Sequence, residues 1–193
     1  MCGRYFFDIQ QEELQAIYQA SKNNSLDEDI SLAYNEVFPS NYVATIYENA
    51  EGVIDCGVTR WGFDGFRKGQ LLINARVETV TEKKTFKKPF KDHRLVFPMS
   101  GFYEWDTKKE KYLFTDSENI LYVGGFYRIH TTGQQPIPES IILTTSPNHS
   151  VSSVHDRMPL LIGKDSIAEW IQNEEFAKQH IMKAMPELHK TIV

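Results

Sequence analysis

Val53-Ile54-Asp55-Cys56-Gly57-Val58, running on into Thr59-Arg60-Trp61, sets the pattern of the chain. Ile54, Cys56 and Val58 alternate with Asp55 and Gly57, the period of a half-buried strand. Working outward, six more short segments read as strands: 42–47, 71–74, 94–98, 112–115, 120–127 and 140–145. Gly and Pro punctuate them. Helical spacing appears at 10–20, with Leu14, Ile17 and Tyr18 on one face, again at 85–91, and at 166–177 through Ile167, Trp170, Ile171 and Phe176. Seven strands with flanking helices predict an α+β fold: a single domain over 1–193, built on a curved, barrel-like, mostly antiparallel sheet with peripheral helices.

A chain of 193 residues with 41% hydrophobic and 12% aromatic residues can bury a sizeable core and is not a disordered composition. Its apolar runs are too short to span a bilayer, and the start lacks the basic and apolar stretches of a signal peptide. A cytoplasmic protein without a membrane partner is the expectation. Two cysteines, Cys2 and Cys56, make no disulfide framework, and with scattered histidines they lack metal-ligand spacing, so neither metal nor cofactor is expected. Cys56 reads as a small buried hydrophobe. The net charge of −5 hides an asymmetry: −8 over residues 1–59, +6 over 60–112 and −3 over 113–193. A basic middle inside an acidic chain suits a local groove for a polyanion, although a solvated basic face gives the same count.

Four stretches carry polar residues that propensity does not explain. They are Cys2-Gly3-Arg4-Tyr5, Asn74-Ala75-Arg76-Val77-Glu78, Gly101-Phe102-Tyr103-Glu104-Trp105 and His155-Asp156-Arg157-Met158-Pro159. Each is weak alone: Asn74 fits a turn or a strand cap, Arg76 and Glu78 fit a mutual ion pair, and His155 fits a hydrogen-bonded structural residue. Together, and in this order, they resemble the SRAP (SOS response-associated peptidase) family. That resemblance spans Cys2 to Pro159, and Tyr34-Asn35 and Trp61-Gly62 match two further family positions. This sequence departs from the family pattern at 36–40 (Glu-Val-Phe-Pro-Ser) and at 63–66 (Phe-Asp-Gly-Phe), where Phe66 is the candidate replacement for a second stacking Trp.

The resemblance implies a sensor of abasic sites in single-stranded DNA, acting as a monomer and forming a covalent thiazolidine through Cys2 once Met1 is removed. The residue types suit that reaction. An abasic sugar opens to an aldehyde, which condenses with a free amine. An α-amine titrates near 7.7–8.0 against about 10.4 for lysine, so far more of it is free at neutral pH. Only an N-terminal cysteine adds a thiol on the neighbouring carbon, which closes a five-membered ring on the imine. By the same resemblance Asn74 orients the terminus or the opened sugar, while Glu104 and His155 move protons. Arg4, Asn35, Arg76 and Arg157 are implied at the DNA, the arginines on phosphates, and Trp61 and Trp105 are implied as stacking surfaces. Glu104, between Tyr103 and Trp105, is expected to have a raised pKa.

Three other readings remain open at this level. An N-terminal-nucleophile amidohydrolase, such as a class-II glutamine amidotransferase, also starts Met-Cys-Gly, but the sequence has no Asn-Gly dipeptide. A thiol autopeptidase would use the same residues to cut the Met1–Cys2 bond. A binding-only module would leave no covalent product.

Overall fold

The segment around Cys56 folds as a strand, Ile54–Trp61, but its fully buried positions are Gly57, Thr59 and Trp61, while Ile54, Cys56 and Val58, the expected inner face, are only half-buried. In the computed structural model, residues 2–25, 27, 29–65, 67–116, 120–129 and 137–193 are described. Met1 and Phe66, the candidate second stacking residue, lie outside them. The order begins β1 (Tyr5–Phe7), α1 (Glu12–Asn23), β2 (Asn35–Val37), β3 (Tyr42–Glu48), β4 (Ile54–Trp61), β5 (Phe63–Asp64), β6 (Leu71–Leu72), β7 (Asn74–Arg76) and α2 (Lys84–Asp92). Then come β8 (Arg94–Met99), β9 (Gly101–Trp105), β10 (Lys111–Thr115), β11 (Leu121–Arg128) and β12 (Glu139–Thr145). The last part adds α3 (His149–Ser152), β13 (Met158–Pro159), β14 (Leu161–Ile162), α4 (Ile167–Gln172), α5 (Glu174–His180) and β15 (His189–Ile192).

The large sheet runs β13-β12-β4-β3-β8-β11-β14, and it curls until β12 pairs both β4 and β11. Its pairings are antiparallel except those of β12 with β4 and with β7. The mixed α+β class and the curved sheet match the expectation. All six side chains of β8 and all seven of β12 are buried, as in strands covered on both faces. A second sheet, β15-β10-β9-β1-β2, lies beside the first. The chain passes from one sheet to the other at Ser100, between β8 and β9. Gly101 pairs with Phe6 on one side and Thr115 on the other. A Cβ there would come within 2.5 Å of the Phe114 carbonyl oxygen, so the three strands meet only because that side chain is absent.

Several expected elements split or shift for local reasons. The segment 71–74 becomes two short strands, β6 and β7, with Ile73 between them. The helix expected over 166–177 breaks at Asn173, whose side chain accepts the Phe176 N–H and starts α5 afresh. Helix α2 holds Pro89 and turns Phe86 and Phe90 inward, leaving its lysines outside. The buried Arg94 guanidinium donates to the carbonyls of Phe90, Lys91, Trp170 and Ile171, closing the ends of α2 and α4. Cys56 is a free, half-buried thiol on β4.

Candidate functional site

The other three motifs meet at the leading residues of the chain, which carry the first. Residues 2–4 run beside β9, where the Tyr103 N–H donates to the Arg4 carbonyl at 3.0 Å. Cys2 is wholly buried, and its thiol points at the Arg4 carbonyl oxygen 3.8 Å away. Asn74, at the start of β7, donates from Nδ2 to the Cys2 carbonyl at 2.8 Å. Its Oδ1 is buried with no partner among the described residues, leaving an acceptor beside Cys2.

Glu104 reaches the site because of the strand period. Side chains on β9 alternate, so Phe102 and Glu104 point one way while Tyr103 and Trp105 point the other. Glu104 is 2% exposed, and its Oε2 lies 3.8 Å from His155 Nε2. Burial pushes its carboxyl up to about 7, with the charge of Asp156 adding to the rise. The expected direction is right, but the aromatic neighbours in sequence, Tyr103 and Trp105, face away. The same burial, joined by the negative charge of Glu104, holds the Cys2 thiol far above the ordinary thiol range. Burial lowers His155 below its usual value, so its ring is neutral at neutral pH. At rest the set therefore holds a protonated thiol, a neutral imidazole and a carboxyl poised between its two forms.

A carboxyl raised in the folded state stabilises the fold while protonated, and that contribution is lost as pH rises through about 7. Replacing Glu104 by Gln removes this penalty. The melting temperature of Glu104→Gln is expected to match wild type near pH 5 and to exceed it at pH 8, by on the order of 2 kcal/mol in stability. Equal pH dependence of the two melting curves would show that Glu104 ionises as an ordinary surface carboxylate.

On the opposite face of β9 stands a second cluster. The Arg4 guanidinium lies over the Phe38 ring at 4.3 Å and the Trp105 ring at 5.1 Å. Glu36 joins it to Lys111, at 3.1 Å from Arg4 and 2.7 Å from Lys111. Lys111 in turn covers Tyr103 at 3.9 Å. Phe38 is 41% exposed. Glu36 and Phe38 fall in the stretch where the sequence departs from the family pattern. That departure was the available sign of their place here; Lys111 carried no sign in sequence.

The remaining expected DNA residues divide. Arg76 shares the Asn74 face of β7 two residues on, and it is exposed. Asn35 is exposed at the edge strand β2 with φ of 59°, a conformation asparagine tolerates. Trp61, expected as a stacking surface, does not reach the surface: it is 0% exposed, packs on Tyr5 at 5.4 Å between ring centroids, and donates its indole N–H to the Ile73 carbonyl. An indole with its N–H satisfied in the core is a packing residue. Arg157 is turned inward as well. Its two terminal nitrogens donate to Glu78 at 2.6 and 2.8 Å and to the Thr144 carbonyl at 2.6 Å. Glu78 thus pairs with Arg157 rather than with Arg76. Among the described residues no group of His, Cys, Asp and Glu is arranged to hold a metal ion, and no helix is long and apolar enough to cross a membrane.

The family model described as SOS response associated peptidase (SRAP) matches residues 1–192. The abasic site processing protein YoaM of Bacillus subtilis is 28% identical over 207 residues, covering 96% of this chain and 85% of that one. YoqW of the same organism, also an abasic site processing protein, is 31% identical over 183 residues, 89% of this chain and 80% of that one. YedK of Escherichia coli, named likewise, is 24% identical over 190 residues, 93% and 83% of the two chains. A crystal structure of a Bordetella bronchiseptica protein has a TM-score of 0.78 at 18% identity, over 100% of this chain and 99% of that one. One from Bacteroides thetaiotaomicron has a TM-score of 0.78 at 17% identity, over 100% and 92%. With the family model matched over nearly the whole length and the four motifs gathered round Cys2, this chain belongs to the SOS response-associated peptidase (SRAP) family.

Proposed function

We propose that this chain processes abasic sites, and that it captures them in single-stranded DNA as a thiazolidine on Cys2 after Met1 is removed. The observation that carries the reading is the setting of Cys2: wholly buried, held at its carbonyl by Asn74, and within the electrostatic reach of Glu104, which itself neighbours His155. The names of the relatives support abasic-site processing as the activity.

In this reading the free α-amine of Cys2 attacks the aldehyde carbon C1′ of the opened sugar. The carbinolamine loses water as the Glu104 carboxylate relays the nitrogen's proton to the departing hydroxyl, which the His155 N–H steadies by a hydrogen bond, leaving an imine. The thiol sulfur then adds to the imine carbon. Its proton passes by way of Glu104 to the imine nitrogen, and the five-membered ring closes with all atoms accounted for. A thiol kept protonated by burial does not compete for the aldehyde first, so the amine leads. In this reading the buried, unpartnered Asn74 Oδ1 accepts a hydrogen bond from that amine. Arg4 between Phe38 and Trp105 offers a cationic stacking surface for an unpaired base, and Arg76 an exposed contact for phosphate. The same Cys2, Glu104 and His155 suit cleavage of the Met1–Cys2 bond.

The test is a denaturing gel of protein whose intact mass lacks one methionine, incubated with an abasic single strand. A band resistant to heat is expected with that strand and absent with the undamaged one. No shifted band under any condition overturns the covalent reading. Arg76→Ala is expected to weaken binding to all single strands alike and to reduce the slope of log affinity against log salt by about 0.7. An unchanged slope in a salt titration removes Arg76 from the phosphate path.

A further inference from the structure

The Glu78–Arg157 pair bears on which nitrogen of His155 carries the proton. The backbone N–H of Arg157 donates to His155 Nδ1 at 3.0 Å, which requires a bare lone pair on Nδ1. The carboxylate of Asp156 also lies 3.0 Å from Nδ1, and it favours the opposite arrangement, a proton on Nδ1. Two neighbours in sequence thus contend for one ring nitrogen. Asp156 is 82% exposed and loosely held, whereas Arg157 is anchored. Its guanidinium grips Glu78 with two hydrogen bonds and the Thr144 carbonyl with a third. That carbonyl also accepts the Val77 N–H at 3.0 Å, so the segment bearing Glu78 and the Arg157 side chain share one anchor on β12.

We propose that Glu78 is a positioning residue for His155: by fixing Arg157 it keeps the Arg157 N–H on Nδ1, so that the neutral ring carries its proton on Nε2, toward Glu104. The function assigned to this arrangement rests on the crosslinking reading above, in which the His155 Nε2–H hydrogen-bonds the departing hydroxyl during loss of water. With the strut cut, the 155–157 loop relaxes, Asp156 draws the proton to Nδ1, and Nε2 faces Glu104 as a bare acceptor. A ring so arranged presents no proton on the Glu104 side. Glu78 is half-exposed and outside the hydrophobic core, so its removal opens no cavity there and the cost falls on the buried Arg157 charge.

The experiment uses mature full-length protein at pH 8, where the His155 ring is neutral, comparing wild type, Glu78→Ala and Glu78→Gln. Long-range nitrogen–proton NMR spectra report the tautomer, with His155→Ala identifying its signals among the six histidines. Wild type is expected to carry the His155 proton on Nε2. Glu78→Ala should move it toward Nδ1 and slow adduct formation on abasic single strands by roughly tenfold or more, with affinity for the undamaged strand within about twofold. Glu78→Gln keeps one acceptor oxygen for Arg157 and should fall between. The proposal is overturned if the tautomer does not move, if it moves without a change in rate, or if affinity falls as far as the rate does. Should wild type form no adduct at all, the crosslinking reading fails, and the tautomer comparison alone decides the strut.

Discussion

Mature Cys2→Ala protein is expected to couple to an abasic strand only when the product is reduced. The variant keeps the α-amine, so it still condenses with the aldehyde; it lacks the thiol, so the imine stays hydrolysable. Borohydride should trap it on DNA, while without reductant its adduct should fall apart on heating, at least tenfold below wild type. Wild type should resist heat without any reductant, because ring closure removes the C=N bond. Acetylating the amine should abolish both products even with the thiol present. The depth of the wild-type thiol in the fold argues for this order, since burial holds it in its unreactive protonated form until a neighbour accepts the proton. If Cys2→Ala equals wild type in unreduced, heat-stable adduct, the nucleophile is another amine, with Lys87 and Lys88 on the exposed face of α2 the first to test.

The second large effect separates proton transfer from binding. Glu104→Gln and His155→Ala each remove one member of the 3.8 Å pair. Each is expected to slow adduct formation by roughly tenfold or more while single-strand affinity stays nearly constant. Neither side chain belongs to the Arg4, Phe38 and Trp105 cluster on the other face of β9, which is why the two measurements should come apart. With the carboxyl pushed up to about 7 by burial, the wild-type rate should fall as pH drops below 7, where protonated Glu104 cannot accept the thiol proton. Glu104→Gln should lose that part of the pH profile. Parallel losses of rate and affinity in stopped-flow or gel-shift titrations would mean that the pair shapes the groove and takes no part in the chemistry.

Much of the scaffold was readable from periodicity. The strand at 53–61 and the apolar strands at 94–98 and 140–145 reappear as β4, β8 and β12, although on β4 the fully buried positions are Gly57, Thr59 and Trp61 and not the apolar Ile54, Cys56 and Val58. The shortest elements were not: β1, β2, β13 and β15 are two to four residues long and are strands only through their partners across the sheet. Segment 101–105 stood out for its chemistry and not as a strand, since Gly101 weakens any strand reading until its close contact with the Phe114 carbonyl is known.

The sequence by itself determined the family resemblance, the unusual position of Cys2, and the residue types able to condense with an aldehyde, since these depend on identity and order alone. Only the tertiary structure decided what each side chain faces. Strand alternation turns Glu104 away from Tyr103 and Trp105 and toward His155, although all three sit side by side in the chain. Trp61 and Trp105 look equivalent in sequence, yet Trp61 fills the core against Tyr5, while Trp105 stacks under Arg4 at the surface cluster. Arg76 and Glu78 are two residues apart, and still Glu78 closes on Arg157 from a segment 79 residues away. Burial and pairing across such separations set the charge state and direction of each group, and neither is a property of the local stretch in which the residue is found.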